Sequence, residues 1–176
     1  MRLAPQLARE GWNVVRLLAM VKSREPELST PAGLAVEADR VTAAAAFAAF
    51  RREQPFGWQE AAVRQLAGMD DRYSEGLAAR DFVAPPEEPV SACRLYSDSR
   101  TAQIDEVGTL EGARGNGLAS AIVLAAADAA AAAGQDLTFL LTDAAEGPKE
   151  LYRRLGFEPV GVIYEFLKLT LSSPAS

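Results

Sequence analysis

A segment that reads as a β-strand, residues 101–110, runs into Arg114-Gly115-Asn116-Gly117-Leu118-Ala119, and an alanine-rich helix over residues 117–133 follows at once. Past that helix, Leu137-Thr138-Phe139-Leu140-Leu141-Thr142 reads as a buried strand. A strand–helix–strand crossover of this kind requires a parallel strand pair. The glycine turn at its centre also has a chemical consequence. Four N–H groups at a helix start have no partner within the helix, and the helix dipole adds partial positive charge there. Together they suit a phosphate or pyrophosphate. Gly115 and Gly117 have no Cβ, so the backbone can approach a ligand closely and adopt unusual dihedrals.

The rest of the chain reads as an antiparallel meander with helices. Residues 12–21 form a strand, 22–33 a Pro- and Ser/Thr-containing linker, and 34–38 a second strand. Asp39 can cap a helix that runs to about Gln54, where Pro55 stops it. A further helix is expected over 58–67. Strands follow over 77–84 and 90–97, with a tight turn at Asp98-Ser99 before the strand over 101–110. Gly134 and Gly156 suit the positions just past helix ends, the second closing a helix over 148–155. A last strand or hairpin spans 157–169, and the tail 172–176 reads as disordered. The sum is an α/β sandwich with a mixed sheet.

With 176 residues the chain is expected to form one domain with a sizeable core. Cys93 is the only cysteine and histidine is absent. Ser-His-Asp and Cys-His catalysis, histidine-bound metals and intrachain disulfides are therefore excluded. A base would have to be a carboxylate, tyrosine, lysine, amino terminus or relayed water. The net charge of −6 argues against nucleic acid as a partner and is compatible with a cationic amine. The start of the chain lacks the apolar core of a signal peptide. The run 120–133 is too short to cross a bilayer, and Asp128 interrupts it. These features lead to the expectation of a cytoplasmic protein with no membrane partner.

Arg114-x-x-Gly117-x-Ala119, helix, strand and then Leu151-Tyr152-x-x-Leu155-Gly156-Phe157, in that order, resembles the GNAT superfamily of acyl-CoA-dependent N-acyltransferases. The resemblance covers residues 89–169. It implies a mixed, mostly antiparallel sheet flanked by helices, in which a parallel strand pair splays apart and holds acyl-CoA. It divides the single domain into an N-terminal strand and linker (1–33), a variable acceptor-side half (34–88) and a CoA-binding half (89–169).

The resemblance also assigns roles. Val107, Gly108 and Thr109 would hydrogen-bond the pantetheine amides through their backbone, and perform oxyanion stabilisation if aimed at the thioester carbonyl. Arg114, Gly115, Asn116, Gly117, Leu118 and Ala119 would wrap the pyrophosphate, with the Ser120 hydroxyl assisting and Arg114 adding charge. Tyr152 would return a proton to the leaving thiolate, which its pKa range permits. Asp105 and Glu106 are the candidate bases. Alternation along a strand turns only one of them to the cleft, and a bulge would exchange the two, with Glu106 the first choice. The loop 142–148 lacks the asparagine that many relatives place there to contact the cofactor. Lys149, Arg153 and Arg154 are candidates for the 3′-phosphate of CoA, and Phe56 and Trp58 for the acceptor pocket. Cys93 reads as a small buried residue.

The expected activity is transfer of an acetyl group from acetyl-CoA, or another short acyl-CoA, to a primary amine in a ternary complex, with no metal. A small molecule or a peptide could supply the amine. The alternatives are a non-catalytic acyl-CoA-binding or regulatory module on the same fold, and a dinucleotide-binding domain, which the lack of Gly-x-Gly-x-x-Gly disfavours. The strand over 12–21 could complete the sheet or pair with a second copy in a homodimer.

Overall fold

The computed structural model describes residues 4–54, 60, 63–64, 67–68, 72, 75–145 and 147–167. The expected helix over 58–67 falls largely outside them, and the tail 172–176 falls wholly outside.

The elements are α1 (Ala4–Arg9), β1 (Asn13–Lys22), β2 (Val36–Ala38), α2 (Arg40–Arg52), β3 (Ala78–Ala84), β4 (Ser91–Ser97), β5 (Thr101–Thr109), a short 3-10 turn (Glu111–Ala113), α3 (Leu118–Ala132), β6 (Leu137–Asp143), α4 (Pro148–Arg154) and β7 (Phe157–Leu167). Local signals fix most boundaries. The Asp39 carboxylate accepts the Val41 and Thr42 N–H groups at 2.9 and 3.0 Å and so caps α2. Gly117 (φ 76°) opens α3 and Gly134 (φ 75°) follows its end. Both lie in the left-handed region, where a side chain would be strained.

The seven strands form one sheet in the order β2-β3-β4-β5-β6-β1-β7. Among the described residues only β5 and β6 run parallel, joined by α3; the other pairs are antiparallel. The mixed α/β sheet read from the sequence is therefore what the chain builds. Of the two roles open to the first strand, β1 completes the sheet: it lies between β6 and β7, with Ala19 opposite Leu141 on one side and Gly161 on the other. The last segment is a single strand paired with β1 rather than a hairpin.

Strand alternation gives the sheet two different faces. One carries Phe82, Cys93, Leu95, Ala102, Ile104 and Leu140 against α3, which contributes Leu118, Ile122, Val123 and a row of alanines. Alanine brings helix and sheet close, and these residues are almost fully buried. Leu155 and Phe157 join this core as packing residues. On the other face α2 lays Ala43, Ala46 and Phe47 on Val83 and Ala92.

Under α2 the sheet also holds a buried charge pair. Arg94 donates from Nε and a terminal nitrogen to the two carboxylate oxygens of Asp81 at 2.6 and 3.0 Å. Its guanidinium lies 4.8 Å from the Phe47 ring centroid. Both side chains are nearly sealed from solvent, so loss of one partner strands a charge in the interior. Asp81→Asn is expected to lower unfolding stability by about 3 kcal/mol in urea titration. An unchanged midpoint would contradict this account of the α2 face.

Candidate functional site

β5 and β6 pair only over Thr101–Ile104 and Leu137–Leu140. Beyond that, β5 continues on β4 as far as Thr109 and β6 continues on β1 as far as Asp143. The two neighbours part because each follows a different partner. Among the described residues, no strand pairs with β5 beyond Ile104 on the β6 side. A strand edge with N–H and C=O groups to satisfy is the natural partner of an extended amide-bearing ligand.

The strand is irregular where it parts. Ala92 stands opposite Gly108 and Arg94 opposite Asp105, so Cys93 alone faces both Glu106 and Val107. This is a β-bulge, and Glu106 takes the strained φ of 52°. The bulge that would decide between the two candidate carboxylates is thus present. Glu106 is ion-paired with Arg51 of α2, whose guanidinium lies 5.7 Å from the Phe47 centroid. Asp105 accepts the Glu106 N–H at 2.8 Å and the Gln103 amide at 3.2 Å.

The glycine loop stands at the end of β5. Gly115 (φ 81°) and Gly117 have open space where a Cβ would lie. The 15-residue α3 begins with no side-chain cap, so its first N–H groups are not taken by a side chain of that kind. Leu118 is in the core, which leaves its backbone for a ligand, and Ser120 is buried. Arg114 folds back, its Nε donating to the Thr109 carbonyl at 3.2 Å, and the Asn116 amide donates to the Ala113 carbonyl at 3.1 Å. Ser91 donates its hydroxyl to the Gly108 carbonyl at 2.9 Å.

Tyr152 reaches the same region from α4. It is buried and meets Phe157 edge-on at 6.4 Å. Burial, then the neighbouring Cys93 and Asp105, push its phenol above the ordinary range. The phenol is protonated at neutral pH, as an ordinary tyrosine is, and the shift makes it a weaker acid towards a thiolate. Burial likewise pushes the Cys93 thiol up, and the thiol faces the Ile122 carbonyl at 3.5 Å. A thiol held protonated in the core is not a nucleophile.

Lys149 donates to the Ala144 carbonyl at 2.6 Å and Arg153 pairs with Glu150, so both already have partners near α4. In the loop without asparagine, Asp143 accepts the Ala145 N–H at 2.6 Å. Phe56 and Trp58 lie outside the described residues. Phe47 and Phe50 share one helix face by their spacing of three, and Arg51, four from Phe47, lies on that face too, a position the sequence did not single out. A separate groove of about 840 Å³, between residues 22–30 and α3, touches β6 at Thr138, within its paired stretch, and none of residues 105–119. Among the described residues no group of three or more His, Cys, Asp or Glu side chains stands together as a metal site, and no helix is long and apolar enough to cross a membrane.

Residues 77–159 match the family model described as an acetyltransferase (GNAT) domain. That range runs from the start of β3 into β7 and includes the bulge, the glycine loop and Tyr152. Solved structures share the fold. A conserved protein from Staphylococcus epidermidis, described as functionally unknown, aligns with a TM-score of 0.70 at 18% identity, covering 94% of this chain and 66% of that one. A GNAT-family acetyltransferase from Colwellia psychrerythraea gives 0.63 at 18%, covering 92% and 60%. A GCN5-related N-acetyltransferase from Kribbella flavida gives 0.57 at 21%, covering 92% and 62%. The chain spans just under two thirds of the length of the first structures it matches. No curated protein matches it in sequence. The fold and the matched segment are those of the GNAT acetyltransferases, as the motif order implies.

Arg51→Met would leave the half-buried Glu106 carboxylate without this guanidinium. It is expected to cost about 2 kcal/mol of stability, and Arg51→Met with Glu106→Leu to recover most of the loss. Additive losses in a double-mutant cycle would show that the pair does not couple α2 to the bulge.

Proposed function

We propose that this chain transfers an acetyl group from acetyl-CoA to a primary amine. The observation that carries the reading is the convergence of three features: the parted β5 and β6, the open glycine loop at the end of β5, and the buried Tyr152. The residues fit a CoA thioester. The start of α3 has no side-chain cap and the space at Gly115 and Gly117 is open, which suits the pyrophosphate. The unpaired edge at Val107, Gly108 and Thr109 suits the pantetheine amides.

The thioester supplies an activated acyl group, and the protein supplies position and protons. Binding both reactants side by side removes the entropy of their encounter. The amine nitrogen bonds to the acyl carbon, the carbon–sulfur bond breaks, and Tyr152 gives its hydroxyl proton to the departing sulfur. The amine proton leaves to a carboxylate or to water. Asp105 and Glu106 are the acidic groups on this stretch of β5, and Glu106 has the Arg51 guanidinium as its counter-ion. A small amine, an aminoglycoside, an amino acid, a peptide terminus and a protein lysine all remain chemically suitable acceptors.

A non-catalytic acyl-CoA-binding module is the second reading. It is favoured by the pairing of Glu106 with Arg51 and by the loop without asparagine. Thiol release from acetyl-CoA with a panel of primary amines separates the two. Tyr152→Phe is expected to lower kcat about 100-fold while changing acetyl-CoA affinity less than about threefold. Wild-type protein that binds acetyl-CoA but releases no thiol with any amine would favour the binding module. Undiminished turnover in Tyr152→Phe would remove that residue from the chemistry.

A further inference from the structure

Gly108 sits in the middle of the segment assigned to the pantetheine arm, and one side of it is occupied. A Cβ built there would lie 2.6 Å from Cδ1 and Cε1 of Phe50 and 2.7 Å from its Cγ. The Phe50 ring of α2 therefore rests directly on the strand backbone. It is only half-buried, and it is held edge-on to Phe47 at 5.6 Å between ring centroids. Phe47 in turn is fixed by the Arg94 guanidinium on the sheet beneath it. Next along the strand, towards the bulge, the Arg51–Glu106 ion pair closes the same side. On the opposite face Val107 packs against the main core.

The direction of a bound CoA follows from the order of these parts. Its pyrophosphate end belongs at residues 114–119, beyond the end of β5, so its thioester end points back along β5 towards Gly108 and the bulge. An acyl chain leaving the thioester there meets the Phe50 ring and the ion pair on one side and packed core on the other. The geometry points to Phe50 as the residue that limits the acyl group to acetyl size. This inference rests on the acyl-CoA reading above.

The test is calorimetric titration of the full chain with coenzyme A, acetyl-CoA, butyryl-CoA and hexanoyl-CoA, for wild type, Phe50→Ala and the milder Phe50→Leu, with thermal melts for each. Wild type is expected to bind hexanoyl-CoA at least about tenfold more weakly than acetyl-CoA. Phe50→Ala should abolish that penalty, because each methylene given apolar cover gains about fourfold in affinity. Affinity for coenzyme A itself should stay within about threefold. Phe50→Leu should show the same trend with a smaller change in melting temperature. A readout free of ligand accompanies it: Gly108→Ala should lower the melting temperature in wild type, because the new methyl collides with the ring, and should lower it much less in the Phe50→Ala background.

Equal wild-type affinity for acetyl and hexanoyl thioesters, or the same chain-length profile in Phe50→Ala, would overturn the inference while leaving CoA binding intact. Failure to bind coenzyme A or any thioester would overturn it together with the acyl-CoA reading.

Discussion

The arrangement depends on the divided loyalty of two parallel strands. β5 and β6 share four residues of pairing and are then drawn apart, β5 by β4 and β6 by β1. Backbone hydrogen-bonding groups left at a strand edge must find partners in water or in a ligand. The opening is therefore a property of the topology. It does not depend on any one side chain, and a chain that keeps these pairings keeps the opening. α3 springs from the end of β5, so the same crossover that makes the strands parallel also brings a helix N-terminus to the opening.

The second organising element is α2, which ties the bulge to the interior. The Phe47 ring has two guanidinium groups near it, Arg94 at 4.8 Å and Arg51 at 5.7 Å. Each arginine has a carboxylate on the sheet, Asp81 for Arg94 and Glu106 for Arg51. The strained φ of Glu106 is thus held by a pair whose other end is fixed in a packed helix. Phe50, one residue before Arg51, closes over Gly108. A single helix face in this way positions the bulge, covers the strand next to it and shapes the side of the opening. The N-terminal linker is anchored at the end of α4. Ser23 and Arg24 donate their N–H groups to the Gly156 carbonyl at 3.0 and 3.3 Å, and a Cβ at Gly156 would lie 2.1 Å from the Arg24 carbonyl oxygen. Gly156 is needed for that crossing as well as for ending α4.

Elements governed by local chemistry were legible in the sequence. Asp39 caps α2, glycines bound α3 and α4, and strand boundaries fall within a residue or two of the alternation pattern. The order Arg114-x-x-Gly117-x-Ala119, helix, strand, Tyr152 identified the fold because its parts are close in sequence. Long-range pairings were not legible. Nothing in residues 12–21 says that the strand inserts between β6 and β7, more than a hundred positions away, or that the linker lands on Gly156. The six-residue α1 has too few turns for a periodic signal. The bulge at Glu106 was foreseen only as a contingency, because it arises from the register between β4 and β5. Arg51 is one of two adjacent arginines in the last turn of α2, and only the fold brings it to Glu106.

The central claim is that the β5 edge and the start of α3 are one binding surface for coenzyme A. Two-dimensional amide NMR of the isotopically labelled chain, titrated with coenzyme A, tests it most directly. The account predicts shifts concentrated at Val107, Gly108 and Thr109 and at Gly115 to Ala119, with slower hydrogen exchange at the same amides. Shifts confined to other surfaces, such as the groove between residues 22–30 and α3, or no shifts at all, would contradict it.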